Sequence, residues 1–132
     1  MDRMISVFLA GKERPLHYSI DVMFAVNEKY GDINELLTLI SSDTKESFGY
    51  LRDLAIMMAN DAELCRRAEG YDKEEMLDKK QVTLQMRPAE YLNLKAAVSQ
   101  AIELGYMQEH QSEDEETDLG LAELRKKAEA GD

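Results

Sequence analysis

The stretch from about Lys45 to Ala68 constrains this chain more than any other, because its apolar side chains recur at the 3.6-residue period of an α-helix. Phe48, Leu51, Leu54, Ala55, Met58, Ala62 and Cys65 make one stripe along it. Ile56 and Met57 add apolar surface off that stripe, so the helix has a wider greasy face than one neighbour needs. Such a helix belongs at the centre of the fold, with the rest of the chain packed around it.

The segments on either side are read from the same kind of pattern. Residues 4–10 are rich in β-formers, Gly11-Lys12 is a turn signal, and residues 14–18 read as a second strand with Pro15 tolerable at an edge. A two-stranded hairpin is marginal alone, so it must lean on helices. Ile20, Met23, Phe24, Asn27 and Tyr30 then fall at helical spacing, with Gly31 as a natural stop. Asp32 with Glu35 resembles a capping box, opening a helix through Leu36, Leu37, Leu39 and Ile40, and residues 41–44 form a loop and cap cluster. Gly70-Tyr71-Asp72 ends the long helix. Residues 73–80 suggest a short charged helix around Met76 and Leu77, and the alternation of Val82, Leu84 and Met86 suggests a strand or extended linker over 81–86. Pro88 sits at the first turn of a last helix ending at Gly105, with Tyr91, Leu94, Val98, Ala101 and Ile102 as its stripe. The expected fold is therefore α+β and mainly α-helical: a short N-terminal β-hairpin packed on a small helical domain over residues 1–107. Residues 108–132 are expected to be an acidic, flexible linker followed by a short amphipathic segment.

Charge and cysteine content narrow the functional classes. The net charge is −11; residues 109–118 hold six acids and no Lys or Arg, so residues 1–108 keep the other five negative charges. Gripping nucleic-acid phosphates needs a basic stripe, and none is present. A DNA mimic would be acidic, but it should carry that charge across its folded face. No stretch approaches the roughly 20 apolar residues of a membrane span, and the apolar run near Met1 is too short for a signal peptide. One cysteine, Cys65, rules out an internal disulfide framework and suits a reducing cytoplasm.

Chemistry-bearing motifs are sparse. His17 lies in the second strand and His110 in the acidic linker, and neither has a recognisable partner motif; Cys65 reads as a small buried hydrophobe. The acid run 113–116 lacks the turn-forming Gly and spaced ligands of a calcium loop, and no metal-ligand spacing, P-loop or dinucleotide fingerprint occurs. The chain is accordingly read as non-enzymatic, with no catalytic residue, cofactor or metal. Met57, Met86 and Met107 are hard to place in a core, and flexible thioethers suit a surface that accepts several apolar shapes; core or scattered surface methionines are the plainer reading. Leu119, Leu121 and Leu124 form an apolar face too short to be a stable isolated helix, so it should order only when docked. The candidate partner-binding residues are Ile56, Met57, Met107, Leu119, Leu121 and Leu124.

These pieces together resemble the small tail assembly chaperones of long-tailed bacteriophages and prophages, especially the type found with Gram-positive hosts. The matching stretches are Leu16-His17-Tyr18-Ser19-Ile20-Asp21, Glu28-Lys29-Tyr30-Gly31 and Arg66-Arg67-Ala68-Glu69-Gly70-Tyr71. Pro88-Ala89-Glu90-Tyr91-Leu92, Ala101-Ile102-Glu103-Leu104-Gly105-Tyr106 and the closing Asp118-Leu119-Gly120-Leu121 with Glu123-Leu124 and Lys126-Lys127 continue it, so it spans nearly the whole chain. The resemblance implies a protein that coats the long, aggregation-prone tape-measure protein while the tail tube protein polymerises around it, that self-associates, and that leaves before the virion matures. It places the protein in the cytoplasm of the bacterial host. It also implies a longer product made by ribosomal frameshifting near Lys126-Lys127, a pair that an A-rich slippery run can encode; two lysines near a helix end need no such history. The competing readings are a small acidic adaptor that binds one folded partner through residues 119–124, a DNA mimic, and a small hydrolase using Cys65 or His17.

Overall fold

In a computed structural model that describes residues 4–107, the long helix stands at the centre. The chain order is β1 (Ile5–Leu9), β2 (Lys12–Leu16), α1 (Ile20–Tyr30), α2 (Ile33–Ile40), α3 (Lys45–Ala68), α4 (Lys79–Gln85) and α5 (Pro88–Tyr106). The fold is α+β and mainly helical, with a two-stranded antiparallel hairpin at its N-terminal end. Helix α3 packs against β2, α1, α2, α4 and α5, so it is the one element that nearly every other part of the fold leans on.

The hairpin closes through Ala10-Gly11, both with positive φ, as a two-residue turn matched to strand twist requires. Pairing runs from Ile5 opposite Leu16 to Leu9 opposite Lys12, so the second strand starts and ends two residues earlier than the expected 14–18. Pro15 is accommodated because a two-stranded sheet is all edge. Val7, Leu9 and Leu16 point inward; β1 lies over α5 and β2 over α3. The core beneath is filled by Leu51, Leu54, Ala55 and Met58 of α3, with Val22 and Val26 of α1, Leu36 and Ile40 of α2, and Leu94, Ala97, Val98, Ala101 and Ile102 of α5. The N-cap half of the capping-box reading of α2 is met: the Asp32 carboxylate accepts the Glu35 N–H at 2.9 Å. Phe48 and Cys65, near the two ends of α3, are only half-buried, and Met76, in the segment after α3, is exposed rather than in the core.

Residues 71–86 depart most from expectation. Residues 73–78 form no helix; the helix is α4, over the segment expected to be extended. The cause is a set of side chains on α3 that take the backbone groups a helix would use itself. The Asn60 side chain donates to the Leu77 carbonyl at 3.1 Å and accepts its N–H at 2.8 Å, which carries Leu77 into the core. Glu63 accepts the Glu74 N–H at 2.8 Å, and Arg67 donates to the Glu74 carbonyl at 2.9 Å. Asp78 then caps α4 by accepting the Gln81 N–H at 2.9 Å, and the turn brings Val82 inward while Leu84 faces solvent.

Glu63 is the hub of this clamp, buried and bonded to Arg66 at 2.6 Å and Arg67 at 2.8 Å. Burial alone would raise its carboxyl, but the hydrogen bonds and charges of Arg67 and Arg66 outweigh it and hold the group below its ordinary value of 4.5. A depressed carboxylate stabilises the fold above its unfolded value, and that contribution is lost as pH falls through the folded value. Glu63→Gln is expected to cost about 2 kcal/mol at neutral pH, less than a fully enclosed pair because both arginines reach solvent. In urea unfolding the gap from the parent should close as pH is taken below 4.5; a gap that holds constant would remove the carboxylate from the account.

Candidate functional site

Helix α1 has two apolar faces, and only one of them meets the core. Val22 and Val26, one turn apart, are buried against the rest of the domain, with Met23 and Tyr30 packed beside them. Ile20 and Phe24, also one turn apart, stand on the outside at 62% and 55% exposure. The N-cap that sets this rotation is Ser19, whose hydroxyl accepts the Val22 N–H at 3.2 Å. Beside Ile20 a groove of about 440 Å³ opens between the β2–α1 junction and the end of α5, lined by Leu16, Tyr18, Ala101, Leu104, Gly105 and Met107 among others. Met107, 51% exposed, faces it from the C-terminal side. Ile20 and Met107 thus stand exposed at a groove that His17 and Ser19 also line, with Phe24 exposed one turn further along α1.

Gly105 makes this groove possible. It lies inside α5, one residue short of the helix end, so it is not the stop the sequence suggests. A Cβ there would come 2.7 Å from the Tyr18 carbonyl oxygen and 2.9 Å from the Tyr18 ring. The close approach lets the Tyr18 and Tyr106 rings pack at 5.6 Å with their hydroxyls 3.4 Å apart. Burial first, and the Tyr106 hydroxyl second, push the Tyr18 phenol above the ordinary tyrosine range. Gly→Ala inside a helix ordinarily gains about 1 kcal/mol. Here Gly105→Ala is expected to cost about 1–3 kcal/mol in chemical denaturation, since backbone must move to admit the methyl. A more stable variant would contradict the packing.

A second groove of about 400 Å³ lies between the start of α3, α4 and the start of α5, with Phe48, Met86, Pro88 and Tyr91 as its apolar lining. Phe48 and Tyr91 meet edge-on at 5.9 Å. Asp43 closes the rim by accepting from the Tyr91 hydroxyl and the Lys95 ammonium, each at 2.8 Å. Met86 is half-buried here, against the core.

The third feature is polar. His17, just after β2, is held on α3 by its backbone N–H, which donates to the Met58 carbonyl at 3.1 Å. Its Nδ1 lies 2.7 Å from Asp61 Oδ2 and 3.2 Å from Cys65 Sγ. Asp61 and Cys65 are one turn apart on α3 and so share a face. Both meet the same ring nitrogen, which does not reproduce the relay of a Cys–His–Asp triad, where thiol and carboxylate occupy opposite nitrogens. Burial, then the charges of Asp61 and Glu69, push the Cys65 thiol up, away from the nucleophilic thiolate.

Of the candidate partner-binding residues, Met107 is on the surface at the groove. Ile56 and Met57 are half-buried and pack against the core, so they offer less free surface than the width of the stripe suggests. Leu119, Leu121 and Leu124 lie outside the described residues. The stripe that the sequence offers for α1, Ile20, Met23, Phe24, Asn27 and Tyr30, is not the buried one: Val22 and Val26 face the core, and Ile20, Phe24 and Asn27 are exposed, because a helix with apolar residues on two sides is turned by its neighbours. Among the described residues no helix is long and apolar enough to cross a membrane. Comparison with protein-family models, with curated proteins and with solved structures finds no match to this chain.

Proposed function

We propose that this chain is a non-enzymatic tail assembly chaperone of a long-tailed phage or prophage, which binds the tape-measure protein and keeps it soluble during tail assembly. The observation that carries the reading is the outward face of α1, Ile20 and Phe24, beside Met107 and its groove. A small domain with a filled core gains nothing from such a face by itself. A long apolar helix laid along it would cover it, matching i, i+4 anchors to the groove. Many copies, each held weakly, bind strongly in sum and are still displaced one at a time as the tube protein polymerises. The net charge of −11 keeps the coated complex soluble. In this reading the protein works in the cytoplasm of the bacterial host, self-associates along its partner, leaves before maturation and uses neither membrane nor nucleic acid.

Co-expression with the tape-measure protein that this reading places in the neighbouring gene is the test. The partner should move from the insoluble to the soluble fraction and purify together with this chain. A partner that stays insoluble, or is soluble unaided, would end the reading.

A further inference from the structure

We propose that His17, Asp61 and Cys65 form a binding site for a zinc-type divalent metal ion. Their ligand atoms, Nδ1, a carboxylate oxygen and Sγ, all lie within 4.8 Å of one another. Two come from α3 at the i, i+4 spacing that sets neighbouring side chains on one face, and the third is fixed by the His17–Met58 backbone bond. Tetrahedral ligands at zinc bond lengths stand about 3.3–3.6 Å apart. To seat the ion, the 2.7 and 3.2 Å separations at Nδ1 would have to open by about 0.3–0.7 Å, and the Asp61–Cys65 pair, within 4.8 Å, would have to lie about 3.6 Å apart.

Two neighbours share Nδ1 of His17, and with that nitrogen protonated its contact with Asp61 is an ordinary hydrogen bond. Protonated, the nitrogen donates to Asp61 and has no lone pair for the thiol. Unprotonated, it accepts from the thiol and faces the carboxylate oxygen lone pair to lone pair. A divalent cation satisfies all three acceptors together, with the thiol proton released to solvent. A mixed nitrogen, sulfur and carboxylate set suits zinc over magnesium or calcium. The Asp61 side chain is 13% exposed and that of His17 is 35% exposed, so the set is anchored on the inside and open on the outside. The open side leaves a fourth position for water, as in zinc sites with three protein ligands.

Cobalt(II) titration of the reduced, full-length protein tests this, because Cys65 is the only thiol in the chain. The expected result is one cobalt per chain, with a thiolate-to-cobalt charge-transfer band in the near ultraviolet and intense tetrahedral bands in the visible, both removed by added zinc. Cys65→Ser should abolish the charge-transfer band. His17→Gln and Asp61→Asn, checked for intact helix content, should each weaken cobalt binding by about tenfold or more. Cobalt held without a charge-transfer band, as by the acid run at 113–116, would overturn the proposal. So would affinities unchanged in both His17→Gln and Asp61→Asn, which would leave these residues as a hydrogen-bonded cluster only.

Discussion

Leu54→Asp is expected to leave the chain unfolded at neutral pH, with its helical circular dichroism lost and the product insoluble on expression. Leu54 is fully buried at the middle of α3, where the other elements converge on the helix. Removing a buried leucine side chain costs about 2–5 kcal/mol by itself. An unpaired carboxylate in the same place costs several more, unless it is protonated at a penalty of its own. Together these come to about 5–10 kcal/mol, comparable with the roughly 5–15 kcal/mol that holds a domain folded. Leu84→Asp is the control: this leucine is 74% exposed in the last turn of α4, and its replacement should cost only about 1–1.5 kcal/mol, from lower helix propensity and an acid at the negative end of the helix, and leave the chain folded. A folded Leu54→Asp, or an unfolded Leu84→Asp, would contradict the assignment of inside and outside.

The second large effect is on function. The paired variant Ile20→Asp/Phe24→Lys leaves the net charge unchanged and should fold as the parent does. Ile20 opens α1, where an acid suits the positive end of the helix dipole, and lysine at 24 is a good helix former between Asp21 and Glu28. Each lost side chain removes about 1.5–3 kcal/mol of apolar burial from a bound complex. The pair should therefore weaken partner binding by about a hundredfold or more, and the co-expressed tape-measure protein should return to the insoluble fraction. Full solubilisation by a folded double variant would show that the outward face of α1 is not the binding surface.

What could be read from the chain alone follows the distinction between local and non-local causes. The middle of the α3 stripe, from Leu51 to Ala62, and the Asp32 cap are local patterns, and both appear in the fold, while the stripe's ends at Phe48 and Cys65 are only half-buried. Asp78 with Gln81 is a cap of the same kind, but the alternation of Val82, Leu84 and Met86 masked it. Val82 and Met86 are also i, i+4, so the same residues fit a helix, and only the grip of Asn60 and Glu63 on residues 74–77 explains why the helix starts where it does. At α1 the sequence offers two apolar faces, and packing against α2 and α3 decides which is buried. Cys65 and Asp61 could be placed on one face by spacing, whereas His17, 44 residues earlier than Asp61, reaches them only through the hairpin's position on α3. Met107 could be recognised as a surface methionine, but its groove depends on the contact between Gly105 and Tyr18.

The central claim is that this helical domain holds a long apolar partner on the outward side of α1, at Ile20 and Phe24, and at the groove that Ile20 lines with Met107. Hydrogen exchange of this chain, free and bound to the tape-measure protein, tests it directly, peptide by peptide. The account predicts new protection concentrated at the start of α1 and the end of α5, with the already buried middle of α3 unchanged. Protection confined to other elements, or identical exchange in the two states, would contradict it.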